Sequence, residues 1–97
     1  MRRTVWEDDA SKELEAAVFY IALSDRAAAL GVERRVLDAV ALLARHPIGR
    51  PSRMSGVFQK LVLKTPYLIV YRATDTTLTV LRVLHQSRDW PPKPDVG

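Results

Sequence analysis

The sequence predicts an α+β domain: an N-terminal strand, then an antiparallel helical hairpin packed on one face of a small, mainly antiparallel β-sheet. Three observations carry this reading. Apolar residues recur at helical spacing in two stretches between residues 7 and 45, three strand-like runs fill residues 57 to 85, and the connections between these elements are short.

RTVWE, residues 3 to 7, has the composition of a short strand, with Val5 and Trp6 expected as its buried part. Asp8 and Asp9 follow as N-cap and first-turn carboxylates, where the unpaired N–H groups and dipole of a helix favour negative charge. Leu14, Ala17, Val18, Ile21 and Ala22 then mark one face of the first helix, while Lys12, Glu13, Glu15 and Phe19 fall elsewhere on its circumference. Ser24 and Asp25 break the pattern and cap a second helix running to about Arg45, with Val36, Leu37, Val40, Leu43 and Ala44 on one side and Gly31 weakening its first turns. So short a link makes the two helices antiparallel neighbours.

His46-Pro47 ends the second helix, and HPIGRPSRMSG reads as a loop. In VFQKLVLK, residues 57 to 64, Val57, Gln59, Leu61 and Leu63 alternate with Phe58, Lys60, Val62 and Lys64, so only one side is fully core. YLIVYRA, residues 67 to 73, is apolar on both faces and reads as an interior strand. LTVLRVLH, residues 78 to 85, carries Leu78, Val80 and Leu84 on a face that Arg82 interrupts. These three form an antiparallel meander, leaving the opposite face of the sheet and its rim available. The domain is expected to span residues 1–91. The proline-rich tail, residues 92–97, is expected to drape over the surface or move freely.

The chain has 97 residues, room for one modest core. Its apolar stretches are broken well before a membrane span is complete, and the N-terminus runs from arginines into acids and not into a hydrophobic leader, so a cytoplasmic protein with no membrane contact is expected. The absence of cysteine removes disulfides and thiolate metal sites. Charge is uneven along the chain. Residues 1 to 44 hold six Lys or Arg against eight acids, and residues 45 to 97 hold nine against three, which points to an acidic partner, protein or nucleic acid, for the second half.

No glycine-rich phosphate loop, zinc-protease helix, nucleophile elbow or calcium loop is present. His46 and His85 have no carboxylate at metal-ligand spacing, so neither a metal nor a cofactor is expected. Metal-free RNA cleavage needs an acid or base and cations on the phosphate, which His85 with Arg72, Arg82, Lys60 and Lys64 could supply. The plain alternative stands beside it: strand-borne cations reach to water, and a strand-end histidine makes local hydrogen bonds.

Three segments, the GRP loop at residues 49 to 51, PYLIVYR at 66 to 72 and VLRVLHQSRDW at 80 to 90, in this order resemble the RelE/ParE superfamily of toxins from type II toxin–antitoxin modules. The upstream AAVFYIAL and AVALLARHPIGRP are similar as well, so the resemblance covers nearly the whole chain. It implies a RelE/ParE-like fold and one of two activities. RelE-like members are ribosome-dependent mRNA endonucleases with an arginine in a strand reading roughly Y-R-L-V-Y. ParE-like members are not nucleases and are associated with poisoning DNA gyrase.

Leu68 stands where that arginine would be, and the HQSRDWP ending is the ParE-like version. The resemblance thus implies a ParE-like toxin that acts by protein binding, with Arg50, Arg53, Arg82, His85, Arg88 and Trp90 as its target-binding residues and DNA gyrase as target. Trp90 could instead fold back over the core, with Arg88 pairing to Asp89 on the surface. The alternatives are a ribosome-bound mRNA nuclease using His85, Arg82, Lys60 and Lys64, and a non-toxic relative that only binds its antitoxin. In each case the resemblance implies an adjacently encoded antitoxin, part of which folds on the toxin, and contact with operator DNA only through that antitoxin.

Overall fold

Each stretch of helical or alternating spacing becomes an element in the computed structural model, which describes residues 1–87: β1 (Arg3–Trp6), α1 (Asp8–Ala22), α2 (Arg26–Arg45), β2 (Arg50–Pro51), β3 (Phe58–Leu61), β4 (Tyr67–Ala73) and β5 (Thr77–His85). The expectations placed on Arg88, Trp90 and the tail at 92–97 lie outside the described residues.

Glu7, and not an aspartate, is the N-cap of α1, and its side chain makes no capping bond. Asp8 and Asp9 both sit inside the first turn, where they still face the positive end of the helix dipole. The reversal at residues 23 to 25 is closed by the Asp25 amide donating to the Ile21 carbonyl at 2.9 Å. Asp25 then caps α2 with its own carboxylate, which accepts from the Ala28 amide at 3.0 Å. At the far end the His46 amide makes the last helical bond, to Leu42, and Pro47 biases the preceding residue towards the extended backbone that His46 adopts.

The strands form one sheet in the order β1-β5-β4-β3-β2, with β1 parallel to β5 and every other pair antiparallel. As its two-sided apolar pattern predicts, β4 is central. β2 lies in the segment expected to be loop. It is only two residues long, and Pro51, having no N–H to contribute, sits on the sheet's edge where that loss is tolerated.

The main core joins Ala10, Val36, Val40, Leu43 and Ala44 of the hairpin to Val62, Ile69, Tyr71, Leu78, Val80 and Val83 of the sheet. Each fully buried large side chain here contributes roughly 1.5 to 3 kcal/mol by leaving water. Strict alternation fails in β5. Val70 is opposite Arg82 while Tyr71 is opposite Val80, so Leu81 is an extra residue, a β-bulge that switches the faces beyond it. Val83 therefore joins Leu78 and Val80 beneath the helices, and Leu84 turns to the opposite face, where it packs with Val57 and Val70. That face, expected to be available, is thus partly buried in its own right.

Two further expectations are corrected, and a third is made specific. Val5, beside Thr79, is 36% exposed, and it is Trp6, beside Val80, that packs on the main core. Leu37 is 45% exposed because the buried stripe of α2 runs through Ala29, Val36, Val40 and Leu43, one residue round the helix. Of the two sides of the stretch 57–64, the one that reaches the helices holds Phe58 and Val62, while Leu61 and Leu63 are exposed.

Candidate functional site

β1 stops at Trp6, opposite Val80, so among the described residues the outer edge of β5 beyond that point has no strand beside it. α1 fills the gap with Glu13. One carboxylate oxygen accepts from the backbone amide of Val83 at 3.1 Å and from Arg82 Nε at 2.9 Å, and the other accepts from Arg82 Nη2 at 2.7 Å. The two side chains are only 28% and 19% exposed, respectively, for Arg82 and Glu13. The hydrogen bond to Glu13 raises the Arg82 pKa above its already high ordinary value, against the opposing effect of burial. Arg82 is therefore a cation committed to holding α1 on β5.

His85 ends β5 opposite Tyr67, its ring edge-on to the phenol at a centroid distance of 5.6 Å. Its Nδ1 lies 2.8 Å from the Ser87 hydroxyl and 3.2 Å from the Ser87 amide. Because a backbone amide can only donate, Nδ1 is the acceptor and the neutral ring carries its proton on Nε2. These contacts are local, between residues two apart.

Lys60 alternates with Phe58 and Val62, so it points to the helix side, between β3 and α2. β3 and β5 flank β4, which puts Lys60 and His85 on strands about 10 Å apart. Lys64 is at the turn after β3 with φ 62°, a left-handed conformation unusual for lysine. Arg72 is exposed opposite Thr79. The structure thus does not bring His85, Arg82, Lys60 and Lys64 into one cluster.

What it does bring together is a pocket of about 530 Å³ at the β2–β3 end of the sheet, walled by Arg50, Gln59, Leu61, Leu68 and Gln86, with Lys60 also at its wall. Arg50 reaches it because β2 pairs with Gln59, and Gln86 because its amide is tied to the Pro66 carbonyl at 2.7 Å. Leu68 is in register between Leu61 and Leu84, making an aliphatic row across three strands. Arg53 is exposed in the loop between β2 and β3. Among the described residues no group of three or more His, Asp or Glu side chains could hold a metal, and no helix is long and apolar enough to cross a membrane.

Glu13 and the two glutamines were missed by sequence reasoning. Glu13 had one legible sign: it follows Ala10 by three residues and precedes Leu14 and Ala17, which places a carboxylate on the flank of the buried stripe. Gln59 and Gln86 had none.

The family model described as "ParE toxin of type II toxin-antitoxin system, parDE" matches residues 4–90. The chain belongs to this family. It is a ParE-like toxin of a type II toxin–antitoxin system, within the RelE/ParE superfamily, and a cognate antitoxin is its partner. It is 33% identical over 91 residues to a Sinorhizobium fredii protein named "Putative toxin Y4kP", covering 93% of this chain and 94% of that one.

Among solved structures, the fold of this ParE-like toxin is similar to a chain of the chromosomal ParDE system from P. aeruginosa, with TM-score 0.77, 24% identity, and 88% and 96% of the two chains covered. It is also similar to a chain of the E. coli DinJ-YafQ complex, with TM-score 0.61, 17% identity, and 90% and 96% covered. At these identities the likeness is one of fold: two helices on a mixed, mostly antiparallel five-stranded sheet.

Proposed function

We propose that this ParE-like toxin acts in the cytoplasm by binding a protein target and that the target is DNA gyrase. The observation that carries the reading is the state of Arg82. A guanidinium held through both Nε and Nη2 by hydrogen bonds to the Glu13 carboxylate cannot also meet a developing phosphorane without breaking a largely buried ion pair. Leu68, where the nuclease-like pattern has an arginine, adds an aliphatic side chain to the same region and no charge. Arg50 walls a pocket together with Lys60, Leu61, Leu68, Gln59 and Gln86, and Arg53 is exposed in the adjoining loop, a composition suited to gripping a protein.

Induced expression of the chain without its antitoxin tests this. The reading expects a DNA-damage response with intact transcripts. A second reading, endonuclease action on mRNA at the ribosome, draws on His85, whose ring stands exposed at the strand end. It expects the reverse pattern: cut transcripts, no DNA damage, and rescue by His85→Gln. Silence in both readouts would leave antitoxin binding as the chain's whole activity.

A further inference from the structure

Arg50, Gln59, Lys60 and Gln86 all line the pocket at the β2–β3 end of the sheet, and none of their side chains has a hydrogen-bond or ion-pair partner among the described residues. Arg34 and Arg82, by contrast, are paired with Asp38 and Glu13. The lining holds two cations and, among the described residues, no acid. Polar groups that converge on an apolar-floored cavity without partners of their own are what a binding pocket needs to orient a guest. Its volume of about 530 Å³ is that of a site for a few partner side chains, not of a broad docking face.

Strand register explains why these residues meet. Arg50 is opposite Gln59, so the two side chains stand on one face of the sheet. Leu61 follows two residues later on that face and is opposite Leu68, which supplies the aliphatic floor. Lys60 is on the other face but lies at the open margin of β3, because β2 pairs only with Phe58 and Gln59. Gln86 closes the remaining wall just past β5.

The guest that fits this lining is an anion on an aliphatic stem. A guanidinium presents a planar fork to a carboxylate, glutamine NH2 groups donate to whichever oxygen lies near them, and leucines take up methylene groups. A nucleic acid phosphate would also satisfy the cations, but it brings a base, and the pocket has no aromatic side chain on which a base could stack. We propose that the pocket receives an acidic side chain of the toxin's protein target, its carboxylate held by Arg50 and Lys60 and the aliphatic residue beside it seated over Leu61 and Leu68. The inference rests on the reading of this toxin as one that binds a protein, and it does not require that the protein be gyrase.

The test titrates the full chain, labelled with nitrogen-15 and released from its antitoxin, with three probes: acetyl-Leu-Glu-Leu-amide, its Leu-Gln-Leu counterpart and a uridine trinucleotide. The side-chain NH2 signals of Gln59 and Gln86 should shift saturably with the glutamate peptide, and the glutamine peptide should bind at least about tenfold more weakly. Arg50→Glu should abolish the shifts and raise the concentration needed for half-inhibition of gyrase at least about tenfold. Arg50 is exposed on an edge strand, so circular dichroism of the variant should match the parent. Arg26→Glu, the same charge change at the exposed start of α2, should alter neither readout. Unmoved glutamine signals together with parent-like gyrase inhibition by the Arg50→Glu protein would overturn the pocket's role and leave the protein-binding reading standing. If the parent leaves gyrase fully active, the gyrase assignment fails, while glutamate-specific shifts still support the pocket and their absence still overturns it. Tighter binding of the trinucleotide than of the glutamate peptide would overturn the proposal by assigning the pocket to nucleic acid.

Discussion

The amide of Gly49 donates to the phenol oxygen of Tyr71 across 2.6 Å, joining the GRP loop to the central strand of the sheet. Two of the three segments by which the chain resembles its superfamily thus touch, and their residue types explain each other. Tyr71 is fully buried and stacked on Phe58, so its hydroxyl needs a partner within the protein. Gly49 can come close enough only because it lacks a Cβ: a methyl there would collide with the phenol and lie 2.7 Å from the Gln59 carbonyl.

Gly49→Ala should therefore lower stability by about 2 kcal/mol or more, since the Gln59 backbone in β3 cannot step aside as a flexible side chain could. Thermal unfolding of the antitoxin-released chain measures it. A Tm within a degree of the parent would mean that the loop relaxes freely and that the contact is incidental.

Burial pushes the Tyr71 phenol above its ordinary value, with the Gly49 hydrogen bond partly offsetting the shift. In the unfolded chain the phenol ionises near pH 10. The folded state holds its proton to higher pH, so this contribution to stability is complete below about pH 10 and is lost as pH rises through the folded value. Tyr71→Phe should cost about 1 to 3 kcal/mol at neutral pH by stranding the Gly49 amide, yet give a shallower fall of Tm above pH 10. Parallel curves for the two proteins would contradict the assignment.

Glu13→Ala should destabilise more than Arg82→Ala. Losing the arginine removes one half of a bidentate pair, whereas losing the carboxylate also leaves the Val83 amide unbonded at a sheet edge. Costs of about 1 to 3 kcal/mol are expected, with Glu13→Ala the larger, read from urea unfolding at neutral pH. If Arg82→Ala abolished toxicity with stability unchanged, Arg82 would be a contact residue for the target and its structural role here would be wrong.

Gly31 lies inside α2, and a Cβ built on it meets none of the described residues within 4 Å. Gly31→Ala should therefore stabilise the chain by about 0.5 to 1 kcal/mol, through helix propensity and a less flexible unfolded state. A lower Tm would show that the fold itself needs glycine at this turn of α2 and would contradict the open space around it.

The hairpin, the central place of β4 and the end of α2 were legible in the sequence because each is set by local spacing or by a residue such as Pro47 that acts on its neighbours. The misreadings have another origin. Leu84 was placed with Leu78 and Val80 because alternation assumes a regular strand, and nothing in the letters marks Leu81 as a bulge. Val5 was placed inside because the face that β1 presents depends on its pairing with β5, more than 70 residues later in the chain. The ion pair of Arg82, expected as a target-binding residue or a phosphate ligand, was not legible because its partner Glu13 is 69 residues away. Local spacing yields elements, and the sites lie in long-range contacts that spacing does not encode.

His85→Gln should leave growth arrest intact, since among the described residues the imidazole bonds within its own turn and packs edge-on to Tyr67. Colony counts after induction, with protein level checked, measure this. Rescue of growth at equal protein level would favour RNA cleavage.

The most direct test of the account is supercoiling of relaxed plasmid by purified DNA gyrase in the presence of the chain released from its antitoxin. The account predicts inhibition near stoichiometric ratios, with restoration when antitoxin is added and no cleavage of mRNA on translating ribosomes in a parallel reaction. Full gyrase activity at excess toxin, alongside cut transcripts that stay whole with the His85→Gln protein, would contradict it.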